Sequence, residues 1–248
     1  MVRTICVANQ KGGVGKTTTA VNLAAALAYA GCQTLLVDLD PQCNGTSGLG
    51  RRPVERHPLV AGTPLRQGVC PTDVPRLDLL PGSRSFRDVA ALTGDDPQQS
   101  ARLREQLALG ASAYDFVLID CPPSLGALTQ TALAGSHEVL MPIQCEFFAM
   151  EGLTHMIATI GEIIRRPGGA LQFGGILLTM YDPTLELTEE VDREVRDFFG
   201  EVVYQTVIPR DVAVSEAPSH GKTVIDYAPR SRGCRAYVEL CMEVLERD

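Results

Sequence analysis

Ten residues near the start of the chain, Asn9-Gln10-Lys11-Gly12-Gly13-Val14-Gly15-Lys16-Thr17-Thr18, limit the possible folds more than any other stretch. An apolar run, Ile5 to Ala8, precedes them, and a segment that reads as helix, from Thr19 to about Tyr29, follows. Strand, glycine-rich turn and helix in that order aim backbone N–H groups and a helix N-terminus at a phosphate chain. Gly12, Gly13 and Gly15 let the backbone approach in conformations that a Cβ resists. Lys16 can place its ammonium on the β- and γ-phosphates, and the Thr17 hydroxyl is the expected Mg2+ ligand, with Val14 and Thr18 completing the loop. A turn serving only to pack a helix would have little use for Gly-Lys-Thr-Thr at this junction.

The common pattern G-x-x-x-x-G-K-[ST] calls for glycine where this chain has Gln10, and a second lysine, Lys11, lies five residues before Lys16. At these residues the chain resembles the ParA/Soj branch of the deviant Walker A ATPases, a superfamily that includes MinD and the nitrogenase iron protein. The resemblance implies ATP and Mg2+ as ligands. It also implies an ATP-sandwich homodimer in which Lys11 reaches the nucleotide of the other subunit and Gly12 sits at the close crossing. The likeness extends from Asn9 through Ser231-Arg232-Gly233, essentially the whole chain.

With 248 residues the chain is expected to form a single domain, 1–248, large enough to bury a full core. Hydrophobic residues make up 45%, yet no apolar run approaches the length of a membrane span, and no charged n-region precedes the first strand. The expectation is a cytoplasmic protein. Its eight cysteines are scattered without C-x-x-C spacing and read as small hydrophobes in a reducing compartment. They also lack the contexts that iron–sulfur carriers of the superfamily need. A net charge of −8 is the wrong sign for a chain coated in nucleic acid, so DNA binding requires a local patch.

β-type runs recur at about 3–8, 34–38, 77–80, 114–119, 137–143, 173–179 and 202–208, with helical patterns between most of them. That alternation predicts an α/β fold, a mainly parallel twisted sheet flanked by helices on both faces. Leu153, Met156, Ile157, Ile160 and Ile164 are expected to share the core face of one helix, and Tyr237, Leu240, Cys241 and Val244 that of the last. Arg51 to about Pro75, rich in proline, glycine and charge, reads as a surface excursion.

The second strand runs into Asp38-Leu39-Asp40-Pro41-Gln42, which brings Asp40 to the edge where ligands of open α/β sheets bind. Its carboxylate could orient the attacking water or hold a metal-bound water, and the resemblance implies that it is needed for hydrolysis but not for ATP binding. Asp38 reads as structural support. The fourth strand ends in Asp120, followed by Cys121-Pro122-Pro123-Ser124, the Walker B arrangement that brings a carboxylate to Mg2+ directly or through water. Late in the chain the resemblance implies that Pro209 and residue 211 flank the adenine. Family members often have Asn at 211, whereas Asp211 can accept from the adenine amino group but cannot donate to N1 when ionised. His220 reads as structural.

Family members that bind DNA without sequence preference use surface arginines, and the corresponding places hold Thr184 or Leu185, and Ala213. Residues 182–201 carry eight acids against Arg193 and Arg196, a net of −6 that repels phosphates. Lys222, Arg230, Arg232 and Arg235 remain as a smaller candidate DNA patch. The resemblance thus implies a dimerising switch ATPase for chromosome or plasmid partition. It binds DNA as the ATP dimer, associates with the nucleoid in that state, and is released when a ParB-like activator promotes hydrolysis. The alternative is a related ATPase that positions a protein cargo, a chemotaxis array or microcompartment, with weakened DNA binding. A MinD-like membrane role would need a basic amphipathic last helix, and the chain ends acidic.

Overall fold

A computed structural model describes residues 2–85, 97–146, 149–165 and 170–247. Eight strands form one sheet: β1 (Arg3–Val7), β2 (Thr34–Asp38), β3 (Cys70–Pro71), β4 (Leu77–Leu80), β5 (Phe116–Asp120), β6 (Glu138–Gln144), β7 (Gln172–Tyr181) and β8 (Val203–Pro209). Their spatial order is β3-β4-β2-β5-β1-β6-β7-β8. All neighbours run parallel except β3, which pairs antiparallel with β4 through Cys70 and Pro71. This two-residue edge strand was not expected from the sequence, because so short a pair carries no periodic signal.

Eleven α-helices connect the strands among the described residues: α1 (Lys16–Tyr29), α2 (Asn44–Gly48), α3 (Pro58–Ala61), α4 (Leu65–Gly68), α5 (Pro97–Gly110), α6 (Ala127–Gly135), α7 (Ala149–Ile164), α8 (Glu186–Phe199), α9 (Val212–Glu216), α10 (Val224–Tyr227) and α11 (Arg232–Glu246). Successive residues of β1 face opposite sides of the sheet. Cys6 and Ala8 enter one hydrophobic cluster, Ile5 and Val7 the other. β5 repeats the division with Val117 and Ile119 against Phe116 and Leu118. A strand covered on both faces has no room for alternating polar residues, hence the continuous apolar runs. Among the described residues no helix is long and apolar enough to cross a membrane.

Three expectations are corrected. α1 begins at Lys16 rather than Thr19, so the lysine and first threonine of the loop lie on the first helical turn. Ile164 is 41% exposed, and Ile163 takes its place in the core beside Leu153, Met156 and Ile160. The stretch from Arg51 to Pro75 is not merely a surface excursion. It contributes Leu59, Val60 and Leu65 to the core, with His57 wholly buried beneath them. Two one-turn helices are too short to display a period, which hid this packing. The eight cysteines are free thiols, six of them buried, as small hydrophobes would be.

Candidate functional site

The loop between β1 and α1 lies at the carboxyl edge of the sheet, flanked by β5 and β6. Gly13 and Gly15 adopt left-handed conformations (φ 76° and 87°), where any side chain is strained. Gly15 is the N-cap of α1 and offers no side-chain acceptor, so the first N–H groups of a 14-residue helix remain available to an anion. The loop is pinned from beneath by residues the sequence did not single out. Asn9 donates to the Pro142 carbonyl (2.8 Å) and accepts from the Lys11 N–H (3.0 Å). The Thr179 hydroxyl on β7 lies 2.9 Å from the Val14 carbonyl and 3.0 Å from that of Ile143, its single proton shared between them. A threonine in a buried strand has no distinguishing pattern, and only the tertiary pairing of β7 with β6 exposes its role.

Lys16 is buried and donates to the Lys11 carbonyl (2.8 Å). Burial pushes its ammonium below the usual lysine range, while the nearby Asp120 and Asp40 carboxylates hold it up. The structure therefore brings together the lysine and both acids named from three separate stretches. Asp120 is fully buried, and neither of its oxygens accepts a hydrogen bond of ordinary geometry. Burial first, and the Asp38 charge second, push its carboxyl well above the usual range; Thr17 and Lys16 act in the opposite direction. An orphaned carboxylate beside a hydroxyl and an ammonium fits a divalent cation, which would supply the positive charge that the oxygens lack. Among the described residues no three His, Cys, Asp or Glu side chains converge on a metal position. Mg2+ is commonly held by one or two protein oxygens together with phosphate and water, and Thr17 and Asp120 could supply the protein's share.

Asp40 is buried two residues past the end of β2, with Oδ1 accepting from the Gln42 N–H (2.8 Å). Asp38 differs. It accepts from the Thr46 N–H (2.7 Å), the Thr46 hydroxyl (2.6 Å) and the Asp40 N–H (3.2 Å). A Cβ on Gly82 would come within 2.9 Å of its carboxylate, so Asp38 is walled in and supports the loop that carries Asp40.

Lys11 does not join the carboxylates around Lys16. Its Nζ pairs with Glu146 (2.7 Å), just past the end of β6, and both side chains are substantially exposed, at 39% and 47%. Glu146 was missed. Its only sequence signal is its place after a strand that turns out to lie beside β1.

Pro209 ends β8, three strands from β1, or about 14 Å across the sheet, the scale of a nucleotide from phosphate to base. Asp211 has a structural role that the sequence reading lacked. It caps α9 through the Ala213 N–H (3.0 Å) and ties it to α11 through the Gly233 N–H (2.8 Å). Of the candidate DNA residues, Lys222 lies before α10 and Arg230, Arg232 and Arg235 cluster at the start of α11, and all four are exposed. Arg232 and Arg235 lie in the first turn of a helix, the end where positive charge opposes the dipole. His220 stacks on Tyr227 (ring centroids 4.8 Å apart), a partner not seen in the sequence.

The chain matches a family model described as an AAA domain over residues 2–173. It is 45% identical to a chromosome-partitioning ATPase Soj of Treponema pallidum, over all of this chain and 99% of that one. It is 44% identical to the chromosome partitioning protein ParA of Caulobacter vibrioides, over all of this chain and 95% of that one. Among solved structures, cobyrinic acid a,c-diamide synthase of Mycobacterium smegmatis, with a bound ATP analogue and magnesium, superposes with a TM-score of 0.85. The two are 33% identical, over 99% of this chain and 95% of that one.

Proposed function

The chain belongs to the Soj/ParA family of chromosome-partitioning ATPases, and from that we propose that it works as a dimerising switch, in which nucleotide binding and self-association are one linked equilibrium. Lys16 and the α1 N-terminus bind the phosphates of ATP. Thr17 and Asp120 hold Mg2+, whose charge offsets that developing on the transferred phosphoryl group. Asp40, buried just past β2 at the sheet edge, positions the attacking water. The single observation carrying the dimer reading is the division of labour between the two lysines. Lys16 is buried among the site carboxylates, whereas Lys11 is exposed and held outside them by Glu146. A lysine so placed is available to a triphosphate on a facing subunit.

The ATP dimer then binds duplex DNA without sequence preference through Arg230, Arg232 and Arg235, with Lys222 at the margin. Doubling the patch compensates for its small size, because affinity rises steeply with the number of phosphate contacts. Hydrolysis, promoted by a ParB-like partner, separates the subunits and releases the DNA. The protein acts in the cytoplasm, on the nucleoid when bound to ATP. The chromosome-partitioning relatives favour this reading over protein-cargo positioning. The test is a gel shift on non-specific duplex DNA with Asp40→Ala, which should retain ATP binding and trap the dimer. Binding that requires ATP supports the proposal. No binding at low ionic strength, with an ATP dimer demonstrably formed, would favour the cargo reading.

A further inference from the structure

α8 forms the connection from β7 to the edge strand β8 and presents a face that neither the ATPase chemistry nor the DNA patch uses. Its inner stripe, Thr188, Val191 and Val195, is buried. On its outer stripe Leu187, Glu194 and Phe198 follow at helical spacing, with Glu190 beside them. Phe198 is 73% exposed and Leu187 41%. A phenylalanine so exposed costs solvation without contributing to this chain's core; it touches Phe199 only edge-on, at 4.7 Å. Glu190, Arg193, Glu194, Asp197 and Phe198 border a shallow, open depression on this one helix.

The charges around that depression are not explained by the helix itself. Glu186 and Glu189 lie in the first turn, where acids favour the dipole, and Asp192 is consumed by Arg196 (2.6 Å) and the Tyr181 hydroxyl (3.1 Å). Asp197 lies in the last turn, where a negative charge opposes the dipole. Glu190, Glu194 and Asp197 are all exposed, and among the described residues Arg193 is the cation beside them.

An aromatic anchor beside three exposed carboxylates and one arginine, a net negative face, selects its occupant by charge. Duplex DNA is repelled, and a second copy of this face would bring acid against acid. We propose that this face of α8 docks a basic amphipathic segment of a partner protein, its apolar residues seated on Phe198 and Leu187 and its Lys or Arg residues on Glu190, Glu194 and Asp197. The proposal goes beyond the switch reading and does not depend on it, since the face shares no residue with the nucleotide site.

The test is fluorescence anisotropy with a labelled synthetic helix of lysine and leucine at amphipathic spacing, and a control in which every leucine is serine. Wild-type protein should bind the amphipathic peptide and bind the serine control far more weakly. Phe198→Ala should weaken binding by about tenfold or more, and Glu190→Lys with Glu194→Lys by at least as much. ATP turnover should be unchanged in both variants, which also shows that they are folded. Equal binding of both peptides, or no loss in Phe198→Ala, overturns the proposal. So would a finding that Phe198→Ala abolishes nucleotide-independent self-association, which would make a second copy the occupant, or that it weakens DNA binding.

Discussion

Replacing Glu146 by Gln should strengthen ATP-dependent dimerisation. In the single chain Glu146 holds Lys11 at 2.7 Å, and the proposed switch would require Lys11 to leave this pair for the phosphates of a facing subunit. Both side chains are more than a third exposed, so water screens the pair. Its worth is that of a surface ion pair, about 0.2–1 kcal/mol, and not the larger value of a buried one. Each dimer releases two such pairs, so removing them should favour association by about 0.4–2 kcal/mol, a twofold to roughly thirtyfold lower dissociation constant. Gln keeps the shape of Glu and removes only the charge. Sedimentation velocity across a concentration series, with Mg-ATP and Asp40→Ala in both proteins to prevent turnover, reads the constant directly. The difference should shrink as salt rises toward a Debye length of a few ångströms. Nucleotide affinity should hold, since Lys16, Thr17 and Asp120 are untouched. Unchanged dimerisation would show that the pair does not restrain Lys11. Weaker dimerisation would show that Glu146 acts across the interface instead.

Thr179→Val leaves the Val14 and Ile143 carbonyls without their shared donor, so thermal unfolding should report a loss of about 1–2 kcal/mol, and the KM for ATP should rise as the loop loosens. His57 should make the protein acid-sensitive. Burial lowers its pKa from 6.5 to about 4, so its full contribution is present above pH 6.5 and is lost as pH falls toward 4. Linkage puts the loss at about 3 kcal/mol, and urea melts between those pH values should show a slope that His57→Gln removes. Arg230→Ala with Arg232→Ala should weaken DNA binding without altering nucleotide affinity, and the salt slope should fall by about 0.9 for each phosphate that is no longer neutralised. If DNA and nucleotide affinity fell together, the patch would be misassigned.

Those parts of the site that depend on local geometry were legible in the sequence. Gly15 must adopt a left-handed backbone, Lys16 must follow it, and an apolar strand ending in Asp120 delivers a carboxylate to the sheet edge wherever it is placed. Each is a property of a few consecutive residues. What stayed hidden depends on strand order. Thr179 and Glu146 matter only because β6 and β7 lie on the same side of β1, and nothing within those strands states their neighbours. Asp211 shows a third case. The resemblance assigned it to the base, while its spacing to Gly233 across α9, α10 and the turns around them concealed the tie between α9 and α11. The core contribution of Leu59, Val60 and Leu65 was concealed for a different reason, since single helical turns cannot express a 3.6-residue period.

In the proposed switch two lysines serve one triphosphate, one from each subunit. Sedimentation of Lys11→Ala with Mg-ATP, in the Asp40→Ala background, tests it most directly. The variant should still bind nucleotide through Lys16 yet remain monomeric at concentrations where the protein with Lys11 intact is dimeric. A Lys11→Ala protein that dimerises as fully as its parent, and that turns over ATP normally once Asp40 is restored, would contradict it.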